Sequence, residues 1–203
     1  MYCILITGIP ASGKTTMAAF LGDKMNLPVI SKDAVKELLY DTIGFRSRSE
    51  KVKLGTAAMN IMYHMAEQLM KSNLPFILEN NFETISKPGL CRILNTFSYK
   101  AVTVTLTGDY PVLYKRFLER NNDPARHRGH VVNCYPEEPS PEHTPQISYE
   151  DFVNGITSRG MDTFTVHGPH ITLDTTDFHQ VDKEALAQEI ANICKALLVT
   201  IHG

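Results

Sequence analysis

The stretch Gly8-Ile9-Pro10-Ala11-Ser12-Gly13-Lys14-Thr15 reads G-x-x-x-x-G-K-T, the pattern of a loop that wraps phosphate. Its flanks matter as much as its letters. Tyr2 to Thr7 is a continuous apolar run of the kind a buried parallel strand needs. From Lys14 to Asn26, the residues Met17, Phe20, Leu21 and Met25 recur at helical spacing. Strand, glycine loop and helix therefore follow in the order such a loop requires.

The loop's chemistry follows from its residue types. Gly8 and Gly13 permit backbone angles and close approaches that a Cβ would block. The amides of residues 11 to 15 can then point around an oxyanion at the positive end of the next helix. Gly8, Ala11, Ser12, Gly13, Lys14, Thr15 and Thr16 form the expected nucleotide-binding set. Lys14 supplies a cation for the terminal phosphates of ATP, and the Thr15 hydroxyl a ligand for Mg²⁺.

Outward from the loop, the chain alternates strand and helix. Pro28 to Ser31 reads as a short strand running into a helix from Lys32, which puts Asp33 at the carboxyl end of that strand. Ligands of open α/β sheets bind on that edge, so Asp33 is a candidate to accept a proton from a substrate hydroxyl. Its bland alternative is a helix N-cap. Ser49 to Ser72 reads as a long helix with Leu54, Ala58, Ile61, Met62, Met65 and Leu69 on its apolar stripe. His64 falls outside that stripe and reads as solvated. Phe76 to Asn81 is a strand ending in Glu79, Asn80 and Asn81, and a carboxylate there can hold Mg²⁺ through water.

A segment from Glu83 to Gly89 leads into a helix ending near Phe97, and Lys100 to Thr107 forms a β-branched strand. Asp109 and Pro111 open a helix in which Arg116 and Arg120 stand one turn apart. These two arginines either lie on a solvated face or reach over the phosphates. Between Asn121 and Gln146 periodicity disappears, and the length suggests a lid carrying Arg126, His127, Arg128 and His130. Cys134 and His143 with those two histidines raise a zinc reading, but the spacing matches no strong signature. A helix from Ile147 with Ser148 as its cap, a strand over Ile171 to Asp174 and a helix from Asp182 to Val199 complete the chain.

The totals are those of a single globular domain spanning 1–203, with 43% hydrophobic and 21% charged residues. The formal charge of -2 argues against a large nucleic-acid footprint. Four dispersed cysteines favour reduced thiols, and no apolar run approaches membrane-spanning length. With a strand at its very start and no leader pattern, the chain is expected in the cytoplasm. Alternating strands and helices predict an α/β fold, a parallel sheet covered on both faces.

Three patches give the sequence a family likeness. The chain resembles a small P-loop kinase of the adenylate-kinase-like fold, of the gluconate kinase, chloramphenicol phosphotransferase and polynucleotide kinase types. Gly8 to Thr15 is the first patch. Ser31-Lys32-Asp33-Ala34-Val35-Lys36 is similar to the S/N-x-D-x-x-R patch of polynucleotide kinases, where the Asp takes a hydroxyl proton and the Arg holds a phosphate. Lys36 stands in the Arg position, and that exchange weighs against a nucleic-acid acceptor. Arg116-x-x-x-Arg120 with Arg126, His127 and His130 is similar to lids that bring arginines onto a transferred phosphoryl group.

The resemblance implies a five-stranded sheet in the order 2-3-1-4-5 and transfer of the ATP γ-phosphoryl group to a hydroxyl of a small molecule. Lys14, Asp33, Arg116, Arg120 and Arg126 would be catalytic, with Arg116 and Arg120 also on the nucleotide. Asp33, Lys36, Glu79, Asn80, Asn81, His127 and His130 would face the acceptor, and Thr15 and Glu79 would hold Mg²⁺. The competing readings are a nucleic-acid 5'-hydroxyl kinase and a regulatory ATPase whose product is a conformation.

Overall fold

The computed structural model describes residues 1–136 and 147–199. Strands β1 (Tyr2–Gly8), β2 (Val29–Ser31), β3 (Phe76–Glu79), β4 (Lys100–Thr107) and β5 (His170–Asp174) form one sheet. Their order is β2-β3-β1-β4-β5, and every pairing is parallel. The side-chain period of two divides the central strand between two cores. Cys3 and Leu5 face one cluster with Phe76, Leu78 and Phe82, while Ile4 and Ile6 face another with Val102, Val104 and Ile190.

Helices cover both faces. Helices α1 (Lys14–Met25) and α7 (Lys183–Val199) pack on the Ile4–Ile6 side. Helix α3 (Arg48–Lys71), entered from α2 (Lys32–Ile43), lies with α4 (Lys87–Thr96) on the other. Helices α5 (Tyr110–Asn122) and α6 (Tyr149–Thr157) form a smaller core around Leu113, Phe152 and Ile156, which also takes Ile9 of the phosphate loop. The expected caps form: Ser148 Oγ accepts from Asp151 N and Asp109 Oδ1 from Val112 N.

Two expectations need correction. The buried seam of α3 is Lys51, Ala58, Met62, Ala66 and Met70, whereas Ile61 and Met65 are 38% and 42% exposed. Alanine carries little hydrophobic signal in a sequence, yet Ala66, which the stripe left out, is fully buried in the cluster with Phe76 and Leu78. The segment after α5 is also more structured than aperiodicity suggests. Residues 123–136 dock on α2 and α3 through Val132, Tyr40 and Phe45, and through paired backbone bonds between Phe45 and Tyr135. The remainder of the expected lid, 137–146, and with it His143, lies outside the described residues.

Candidate active site

The phosphate loop is shaped by two glycines and one strained alanine. A Cβ on Gly8 would stand 1.9 Å from the Leu106 carbonyl oxygen, so β1 and β4 close together only with glycine there. Ala11 and Gly13 both adopt left-handed backbone, at φ 63° and 87°. Such alternation turns successive amides inward into an anion nest. Lys14 is 7% exposed, and its ammonium donates to the Ile9 carbonyl at 2.6 Å. Burial, opposed by Glu79 and reinforced by Arg120, brings Lys14 down to about 8. An anion in the loop would restore the full charge.

One cavity of about 730 Å³ joins most of the expected residues. Ala11, Gly13, Lys14, Thr15 and Thr16 line it from the loop, Asp33 from α2, Glu79 and Asn81 from β3 and its end, and Arg116, Arg120 and Arg126 from above. The Nε atoms of Arg120 and Arg126 and the Ser12 hydroxyl are buried, with no hydrogen-bond partner among the described residues. Buried donors left open beside a cationic lysine describe a site shaped for phosphate oxygens. Arg120 is brought down to about 10, first by burial and then by Arg126, and stays charged at neutral pH.

The acidic groups are equally particular. Glu79 is buried, and Ser31 Oγ donates to its Oε2 at 2.5 Å. Burial raises its pKa, opposed by Ser31, Lys14 and a hydrogen bond from Thr15. Thr15 and Glu79 therefore present adjoining hard oxygen donors, a set that fits Mg²⁺. Asp33 moves the other way. Burial pushes its carboxyl up, but Lys36, His130, Arg126 and Lys32 outweigh burial and hold it below the usual range.

Several expected residues stand elsewhere. Asn80 does not line the cavity: its backbone N–H donates to Ile6 O, and its side chain is buried with Nδ2 unpartnered among the described residues. Lys36 lines the neighbouring cavity, with Nζ 3.7 Å from Asp33 Oδ1. His127 Nε2 lies 3.0 Å from Asp41 Oδ1, and its Nδ1 accepts from Gly129 N. His130 Nε2 lies 2.7 Å from Glu37 Oε1, and burial lowers its pKa. Both histidines thus brace the segment on α2 and do not enter the phosphate cavity. Among the described residues no group of three or more His, Cys, Asp or Glu is placed to hold a metal, which removes the zinc reading as far as it can be followed.

Arg116 has a different setting from its neighbours. Its two terminal nitrogens donate to Thr175 O at 2.6 Å and Thr176 O at 2.7 Å, and its guanidinium lies 4.0 Å from the Phe178 ring centre. Phe178 and Ser31 are functional candidates that the sequence reading passed over. Nothing short of the fold shows that Ser31 reaches Glu79.

The AAA domain family model matches residues 4–137. The chain belongs to that family. Its open parallel α/β core and phosphate loop are those of a P-loop kinase. A Chloroflexus aurantiacus protein provisionally described as a kinase shares 28% identity and a TM-score of 0.79, with 95% of this chain and 97% of that one covered. A gluconokinase from Sinorhizobium meliloti (10% identity, TM-score 0.54, 99% and 95% covered) has the same fold. So does a shikimate kinase from Bacteroides thetaiotaomicron (15%, 0.53, 96% and 98% covered). No curated protein matches this kinase in sequence at a significant level. Among the described residues no helix is long and apolar enough to cross a membrane.

Proposed function

We propose that the protein transfers the γ-phosphoryl group of ATP to a hydroxyl of a small-molecule acceptor, with Asp33 holding that hydroxyl. The observation carrying this reading is that Lys14, Arg120, Arg126, Glu79 and Asp33 converge on one cavity from five separate segments of the chain. The loop amides and Lys14 would grip the β- and γ-phosphates. Arg116 and Phe178 form the wall beside Gly13 and would lie along the nucleotide. Thr15 and Glu79 would hold Mg²⁺, which when bound neutralises charge on the β- and γ-oxygens.

In the reaction the acceptor oxygen forms a new P–O bond as the bond from γ-phosphorus to the β–γ bridging oxygen breaks. That electron pair leaves on ADP, and the hydroxyl proton passes to Asp33 and on to water. A carboxylate held below its usual range is a weak base. It suits a loose transition state, in which the proton departs late and orientation matters more than basicity. Arg120 and Arg126 would stabilise the charge spreading over the transferred group.

The test is a screen of hydroxyl-bearing metabolites and short 5'-hydroxyl oligonucleotides, with phosphomonoester products read by ³¹P NMR. A new small-molecule phosphomonoester formed only with ATP, and lost in Asp33→Asn, supports the reading. Acceptor-independent hydrolysis stimulated by a protein partner would replace it with a switch, and salt-sensitive oligonucleotide phosphorylation with an end kinase.

A further inference from the structure

Beyond Asp33 lies a second cavity, of about 540 Å³, between α2, α3 and the segment after β3. Lys32, Lys36, Arg48, Lys51 and Arg159 line it, against a single carboxylate, Glu83. Arg159 is already paired with Glu83 at 3.2 Å, and Lys36 lies 3.7 Å from Asp33. Lys32 and Arg48 have no ion-pair partner among the described residues. Lys51 is 7% exposed, and its ammonium meets neutral groups, donating to His130 O at 2.8 Å and Val132 O at 2.7 Å and lying 5.5 Å from the Phe45 ring centre. Tyr40 also lines the cavity, fully buried, with its hydroxyl unpartnered among the described residues.

Resting on the kinase reading, we infer that this cavity seats the anionic end of the acceptor, so that the substrate is a small alcohol bearing a phosphate or carboxylate group. A buried ammonium whose partners are all neutral, flanked by Lys32 and Arg48 with no ion-pair partner among the described residues and by an open buried hydroxyl, makes a site that an anion would neutralise. Burial first, then Lys36, Arg48 and Arg126, lower the pKa of Lys51; burial and Lys36 lower that of Lys32, opposed by Asp33 and Glu83. The Lys36–Asp33 contact marks where the two cavities meet. An acceptor anchored on Lys32, Arg48 and Lys51 would therefore lie with its far end toward Asp33 and the γ-phosphate. The volume suits a metabolite and leaves little room for a polymer strand.

The test has two arms on the full chain. In the first, inorganic phosphate is titrated into wild type, Lys14→Ala and Lys32→Ala/Arg48→Ala, with binding read by calorimetry. Phosphate binding that survives in Lys14→Ala and falls about 10-fold or more in the double variant supports the seat. Phosphate binding that vanishes with Lys14→Ala alone overturns it and leaves the kinase reading intact, whereas failure of wild type to bind ATP would overturn the kinase reading itself. In the second arm, matched alcohols are compared as acceptors: glycerol with glycerol phosphate and glycerate, ribose with ribose 5-phosphate and gluconate. Preference for the charged members, lost in Lys32→Ala, supports the inference. Equal use of neutral members overturns it. Lys32 and Arg48 are chosen because Lys51→Met would also remove two backbone contacts and could unfold the segment.

Discussion

The cavity that Lys14 enters takes its floor from one unbroken run of backbone, whereas the cavity beyond Asp33 takes its walls from side chains on separate segments. The first is fixed by the glycine positions, Ala11 strain and a helix terminus, features that a contiguous motif can carry. The second exists only once α2, α3, the turn after β3 and Arg159 have been brought together. A general task, holding a polyphosphate, is met by backbone. A particular task, choosing an acceptor, would on the inference above be met by side chains that can be exchanged one at a time.

Substitutions on the two sides should therefore separate cleanly. The largest effect is expected for Lys14→Ala, which should take transfer to background and weaken ATP binding in calorimetry while circular dichroism stays native. Next, Arg126→Ala should lower kcat by about 10³-fold with a much smaller change in ATP affinity. An unchanged kcat would assign that arginine to structure alone. Asp33→Asn should cost about 10²-fold in transfer, near the low end for a general base, because the carboxylate is already a weak one. ATP binding by this variant should remain within about twofold, since no loop contact is lost.

The smallest effect is one of pH and belongs to the acceptor side. Burial, with Lys36 from α2, Arg48 from α3 and Arg126 from the docked segment, brings Lys51 down to about 8. The ammonium is thus present below that pH and lost as pH rises through it. At saturating ATP, where bound phosphates keep Lys14 charged, kcat/KM for an anionic acceptor should fall about 3- to 10-fold between pH 7 and 9. Lys51→Arg, which keeps its charge, should flatten that limb. A limb of the same depth in the variant would show that another group titrates.

How far the sequence could be read follows the same division. Strand β1, the loop and α1 were legible because a glycine motif, an apolar run and a helical stripe coincide within the first 26 residues. The placement of Asp33 and Glu79 on the cavity's edge was legible because strand ends on that edge are predictable once the loop fixes it. Asn80 was misread because strand alternation sends it away from the face that Glu79 presents. His127 and His130 were misread for another reason: their partners, Asp41 and Glu37, lie on a helix some ninety residues earlier in the chain. Nothing in the sequence sets Lys51 apart from the other charged residues of its long helix. Only the carbonyls of His130 and Val132 reveal that it is buried.

That last contact has a mechanical corollary. Lys51 bolts residues 130 and 132 to the wall of the acceptor cavity, while the Phe45–Tyr135 bridge and two histidine–carboxylate pairs fasten the same stretch at further points. Arg126 rides on that stretch. On the readings proposed above, the guanidinium that would meet the migrating phosphorus is held by the same fastenings that form the wall of the second cavity.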